Sequence, residues 1–225
     1  MSDIIQSRFN RNTFAVFLVL LIIFLQSFLS EDVSVSETGS SKLGLSEKAN
    51  NLAWTATKLV FMIPVLILWL LDWKRPLWKA IILSNAILTF DLIASTDLLV
   101  FHLTDRFYAS QALLIKDTLL VMIINFLIFS LWYWIIDSPT LRQGTPRDNE
   151  AWDFLFPQRM SKIFYYQDWA PRYLDYLFLA FTTSFTFGPA DTLPLSRRAK
   201  MLMIIQISIS VINIVLLAGY ALTLN

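Results

Sequence analysis

The sequence predicts an all-α fold: a polytopic transmembrane helical bundle, one domain over residues 1–225, with about six hydrophobic segments. Three observations lead there. Hydrophobic residues make up 56% of the chain and charged residues 16%, against about 25% charged in a soluble domain. Mean hydropathy is +0.57. Apolar windows almost free of charge recur along the chain at the length of about 20 residues that a helix needs to cross a bilayer. These windows are continuously apolar rather than alternating, which argues against strands.

Each segment follows from its charge pattern. Residues 12–30 carry no charge. Arg8 and Arg11 precede them as the charged region of a signal peptide would, but the run is long and Phe28-Leu29-Ser30 is a poor cleavage site, so a span is the expectation. Residues 49–71 hold only Lys58. Residues 80–102 hold Asp91, Asp97 and His102. Residues 118–136 and 201–225 hold no charge, and neither does the shorter stretch 176–190. The segment 174–190 is therefore ambiguous: it either spans or re-enters.

The loops give the orientation. With six spans and the N-terminus inside, Arg8, Arg11, Lys74, Arg75, Lys79, Arg142, Arg147, Arg159, Lys162 and Arg172 are inner, ten in all. Lys42, Lys48, Arg106, Lys116, Arg197, Arg198 and Lys200 are outer, seven in all. The excess favours an inner N-terminus. The three basic residues between 197 and 200 oppose it. Trp69, Trp73, Trp78, Trp132 and Trp134 fall at one interface in this arrangement, as an aromatic belt does. Residues 31–50, rich in Ser, read as a flexible outer loop. Residues 137–172 form the longest loop, on the inner side. Within it Met160, Ile163 and Phe164 share one face of a hypothetical amphipathic interfacial helix, with an ordinary structured loop as the alternative. No internal repeat of the transporter type is present.

Several chemistries are excluded. The chain has no Cys, hence no disulfide, thiolate metal site or cysteine nucleophile. A net charge of +1 gives nucleic-acid binding no electrostatic support. A lone His makes no metal centre without partners. Phosphate loops, His-Glu metal motifs and nucleophile elbows are missing. No enzyme activity, cofactor or metal is expected.

Polar residues at membrane depth mark either sites or internal pairings. Asp91 lies mid-span in the third window, Asn125 mid-span in the fourth and Asn213 mid-span in the last, with Thr182 and Thr183 in the fifth. They are expected to form one polar layer, in which Asp91 is either protonated and bonded to Asn125 or Asn213, or faces water and handles a cation. The bland alternative is that Asn and Thr simply join helices.

The C-terminal third is the most specific stretch: Asp175-Tyr-Leu-Phe-Leu-Ala-Phe-Thr-Thr-Ser-Phe-Thr-Phe-Gly-Pro-Ala-Asp191, then Thr-Leu-Pro-Leu-Ser196-Arg197-Arg198, then a span with Asn213. Over about the last 55 residues it resembles a family of bacterial integral membrane proteins of uncharacterised function. The resemblance implies a multi-pass protein of the bacterial inner or plasma membrane. More distantly, 173–225 is similar to the pore-loop region of tetrameric potassium channels. Thr186, Gly188 and Asp191 agree with that motif and Pro194 stands in place, whereas Pro189 and Ala190 depart from it, around Phe187. Pro fixes φ near −65°, and the Cβ of Ala190 opposes positive φ, so a potassium-type carbonyl cage is not expected. Alternatively, Gly188-Pro189 ends the fifth helix. An intramembrane aspartyl protease built on Asp91 and Asp191 is disfavoured, because the two lie roughly 15 Å apart in depth.

The function expected from sequence is channel- or transporter-like, for a small cation, in the lipid bilayer and with homo-oligomer formation open. The alternative is a structural or accessory membrane subunit without transport.

Overall fold

A computed structural model describes residues 2–29, 62–104, 111–137, 152–161, 163–164 and 169–222. The outer loop 31–50, the first part of the second window (49–61) and 138–151 of the long loop lie outside the described residues. Among those described, the chain is helical apart from one two-stranded ribbon. In order come α1 (Ser2–Gln26), α2 (62–70), α3 (Lys74–Thr104), α4 (Gln111–Asp137), β1 (Phe154–Leu155), α5 (Pro157–Met160), α6 (Tyr173–Thr186), β2 (Leu193–Pro194) and α7 (Arg197–Leu222).

Three helices are long and apolar enough to cross a membrane: Lys74–Phe101, Ala112–Asp137 and Arg197–Ala221. Each exceeds the rise of about 30 Å that a hydrocarbon core requires. The apolar part of α1, Thr13–Gln26, is shorter. So is α6, whose 14 residues rise about 21 Å.

The surfaces of these helices support the membrane reading. The α3 face carrying Leu77, Ile81, Leu88, Leu92 and Leu99 is buried, yet on the same helix Leu83 is 57% and Phe90 71% exposed. In α7, Met201, Ile204 and Val215 are likewise exposed. A helix apolar on every side suits hydrocarbon around it, whereas in water such a face would be a liability. This is a membrane protein by the length and surface of these helices.

Local chemistry sets the helix boundaries. The α2–α3 corner is a Schellman turn: Trp73 N bonds Leu68 O at 3.1 Å and Asp72 N bonds Trp69 O at 3.1 Å. Asp72 takes the left-handed position with φ 50°, where Gly is usual. Asp175, at the third position of α6, accepts the Arg172 N–H at 2.6 Å. Ser196 caps α7: its Oγ accepts Ala199 N–H at 3.1 Å, the N-cap geometry that satisfies an otherwise orphaned donor.

The chain divides into two compact units, 1–124 with 215–225, and 125–214. In the first, Trp69 Nε1 donates to Thr13 Oγ1 at 3.2 Å, Gln26 Nε2 to Leu88 O at 3.3 Å and Tyr220 OH to Leu99 O at 2.5 Å. Asp117, which the sequence gave no reason to single out, is buried beside Lys116, 3.1 Å away. The second unit holds the ribbon: β1 pairs antiparallel with β2, Phe154 opposite Pro194 and Leu155 opposite Leu193.

Candidate functional site

The densest polar assembly is in the second unit, where α4 ends. Asp137 is the last residue of α4 and its side chain is fully buried. A carboxylate at a helix C-terminus opposes the macrodipole, so it needs donors, and it has several. Asp153 N and Phe154 N donate to Oδ1 at 2.9 and 3.2 Å. Tyr176 OH donates to Oδ2 at 2.7 Å, and Arg159 lies 3.4 Å from the same oxygen. In that bond the Tyr176 hydroxyl is the donor, because an ionised carboxylate can only accept. Arg159 is held in turn by Phe154 O at 2.7 Å and stacks on Trp152 with its guanidinium carbon 3.6 Å from the ring centroid, a cation–π contact.

A second carboxylate stands beside the first. Asp153, 2% exposed, takes Arg198 in two bonds, Nε to Oδ1 at 2.6 Å and a terminal guanidinium nitrogen to Oδ2 at 2.5 Å. Its Oδ1 also meets the Ser196 hydroxyl. Leu195 N donates to Asp153 O at 2.8 Å, next to the β1–β2 pairing. Thus α4, the segment 152–160, the first half of α6 and the start of α7 converge on two neutralised carboxylates.

Deeper in the same unit runs a neutral network. Gln206, fully buried, donates to Ala180 O at 2.7 Å and Ser184 Oγ at 2.9 Å and accepts from Tyr133 OH. Asn125 Nδ2 donates to Ser210 Oγ at 2.8 Å. Ser130 Oγ and Tyr173 OH share a bond of 2.7 Å. Trp134, assigned from sequence to an aromatic belt, is buried and packs edge-on against Tyr173.

The residues singled out from sequence are distributed as follows. Asn125, Thr183 and Asn213 are fully buried in the second unit. Asn213 Nδ2 bonds Ile209 O of its own helix at 2.8 Å. Thr182 bonds back to Phe178 O at 2.9 Å. Asp91 is half-buried on α3, in the first unit. Asn125 directs its amide N–H to Ser210 and Asn213 to Ile209.

The pore-loop-like stretch takes a specific conformation. Helix α6 ends at Thr186, and Phe187 adopts the left-handed region, φ 55° and ψ 32°. Ala190 is also left-handed, φ 43°, although its Cβ was expected to oppose positive φ. Gly188 is not among the left-handed positions, and a Cβ added there would meet nothing nearer than Thr186 O at 3.9 Å. Thr186 Oγ1 lies 2.8 Å from Thr182 O and 3.1 Å from Gly188 O. Thr192 N donates to Pro189 O at 2.9 Å, and Thr192 Oγ1 to Asp191 Oδ1 at 3.1 Å. The Pro189 carbonyl therefore meets a donor from its own turn.

This gives a stability prediction. A non-glycine residue in the left-handed region costs about 1–2 kcal/mol, and glycine in exchange loses up to about 1 kcal/mol of chain entropy. Ala190→Gly should raise stability by up to about 1 kcal/mol, while Gly188→Ala should change it by less than about 0.5 kcal/mol. Reversible unfolding of both variants from mild detergent into SDS checks this. The opposite ranking would mean that Gly188 is the residue under conformational demand.

Asp137, Asp153, Tyr176 and Gln206 escaped the sequence reading. One signal was available: Asp137 closes an uncharged window, at the end of a helix where an acid is electrostatically misplaced. Compared with models of protein families, with curated proteins and with solved structures, the chain matches none of them. Fold and site define an all-helical membrane protein, and the resemblances drawn from the C-terminal third stay proposals.

Proposed function

We propose that this multi-pass protein is channel- or transporter-like for a small cation, with a C-terminal unit of pore-loop-like construction: span α4, re-entrant α6 with its return 187–196, and span α7. One observation carries the reading. Both ends of the segment 173–196 tie to the same cluster. At its start Tyr176 reaches Asp137. At its end Leu195 and Arg198 hold Asp153, whose own N–H is on Asp137. Between them, α6 reaches the level of Gln206 and Phe126, 11 residues before Asp137 on α4, or about 16 Å inward. This path, in and back to one cluster, supports a re-entrant reading of 173–196.

The basic residues agree. If α6 re-enters, Arg197, Arg198 and Lys200 join the inner loop that holds Asp153. Moving these three from the outer seven to the inner ten gives thirteen against four. The conflict with the positive-inside rule disappears, and the C-terminus falls opposite the N-terminus.

Single cysteines test this topology in the natural Cys-free chain. Gly144→Cys and Leu195→Cys should be labelled from one side and Ser40→Cys from the other. Labelling of Leu195→Cys from the side of Ser40→Cys would restore six crossings. The transport reading is tested by flux. Proteoliposomes should pass H⁺, Na⁺ or K⁺ under a membrane potential, and Asp91→Asn should abolish that flux while the protein still inserts. An absence of flux for all three ions favours the second reading, a structural or accessory membrane subunit. That reading is supported by the Asp137–Arg159 and Asp153–Arg198 pairings, which leave both carboxylates compensated.

A further inference from the structure

We propose that Pro157–Met160, Ile163 and Phe164, together with the first turn of α7, form a docking surface for anionic phospholipid of the adjacent leaflet, with Met160, Ile163 and Phe164 inserted at the boundary between headgroups and acyl chains. The inference rests on the membrane reading and is independent of cation flux.

The apolar half comes from exposure. Met160 is 56%, Ile163 60% and Phe164 85% exposed. An amphipathic helix through these residues was one expectation, but α5 ends at Met160, where Ser161 is extended, and Ile163 N bonds back to Ser161 Oγ at 3.3 Å. Met160 thus ends α5, while Ile163 and Phe164 project from the chain beyond it. Arg159, directly before Met160, is tied to Asp137, the last residue of the α4 span. The patch therefore sits at the bilayer boundary, and the nearest apolar phase that can cover it is the membrane.

The charged half comes from a division of signs. Among the described residues at this end, Asp137 is engaged with Arg159, Asp153 with Arg198 and Asp175 with the backbone of Arg172, while Asp191 is exposed. Arg172, Arg197 and Lys200 point outward and are exposed. The first turn of α7 has no acid, so Arg197 and Lys200 add positive charge where the helix dipole is already positive. An anion relieves that repulsion. The two halves are contiguous, because Arg198 holds Asp153, and the next residue, Phe154, gives its carbonyl to Arg159. Exposed apolar side chains beside basic ones are the pattern of interfacial binding, and basic groups near a span favour acidic lipid.

The test uses Phe164→Cys carrying an environment-sensitive fluorophore, in vesicles of phosphatidylcholine alone or mixed with phosphatidylglycerol. Lipid-borne doxyl groups should quench it and aqueous iodide should not, with stronger doxyl quenching when phosphatidylglycerol is present. Arg197→Gln with Lys200→Gln should remove that lipid dependence. Met160→Cys serves as the second reporter if Phe164→Cys inserts poorly. Iodide quenching in both compositions would overturn the proposal, as would cross-linking between copies through these cysteines, since a second copy would then cover the patch. Equal doxyl quenching with and without phosphatidylglycerol would overturn the assignment to anionic lipid.

Discussion

Asp137→Ala should lower stability by about 3–5 kcal/mol, the cost of leaving a buried partner charge uncompensated. The substitution removes the acceptor of two backbone N–H groups and of the Tyr176 hydroxyl. It also strands Arg159, whose side chain is 9% exposed. Asp137→Asn keeps one carbonyl for the backbone donors but turns an N–H₂ group toward Arg159 or Tyr176, so its loss should be intermediate. Asp137→Leu combined with Arg159→Met removes both charges and should recover much of the deficit, because a buried pair is often replaceable by apolar packing. SDS-driven unfolding of the four proteins measures the series. A single alanine variant within about 0.5 kcal/mol of wild type would show that Asp137 does not organise this end of the unit.

The second large effect is expected at the Asp153–Arg198 pair. Asp153 is 2% exposed and receives two guanidinium bonds and the Ser196 hydroxyl. Charge-assisted bidentate bonds of this kind are roughly twice as strong as neutral ones. Asp153→Ala should cost about 2–3 kcal/mol. The Arg198 side chain is 49% exposed, so solvent screens it and Arg198→Ala should cost less, about 1 kcal/mol. The double variant should show coupling of about 1 kcal/mol relative to the sum of the singles. The pair also pins the segment 187–196 that follows α6. Asp153→Ala should therefore accelerate labelling of Leu195→Cys while leaving Gly144→Cys unchanged. Additive losses, or unaltered labelling at Leu195→Cys, would separate the ion pair from the position of 187–196.

Other parts of the molecule show where sequence reasoning reached and where it stopped. The end of α6 near Gly188-Pro189 was one of two expected outcomes, since Pro cannot continue a helix. The carrier of the left-handed backbone was misjudged. Phe187 and Ala190 take positive φ, and Gly188 does not. Propensity ranks residues by intrinsic cost, and here the ribbon and the Thr192 turn impose a backbone path that two non-glycine residues must follow. Asn125, Thr183 and Asn213, singled out from sequence as polar residues at depth, are buried. The bonding at this depth was not legible, because Asn125 to Ser210 spans 85 positions and Gln206 to Ser184 spans 22.

Composition and apolar run length alone determined that this is a helical membrane protein, and the windows 80–102, 118–136 and 201–225 fall on α3, α4 and α7, though the helices begin four to seven residues earlier. The reason is that burial in hydrocarbon acts on each segment separately: about 20 apolar residues are needed whatever the neighbours do. Tertiary contacts alone decided that Asp137 and Asp153 are held inside the protein by Arg159 and Arg198, and that both ends of 173–196 meet at one cluster. Those outcomes depend on pairings between residues 22 to 45 positions apart. Hydropathy is blind to them, because the energy of a charge–charge pairing belongs to two residues at once, whereas transfer into the bilayer is a property of one segment at a time.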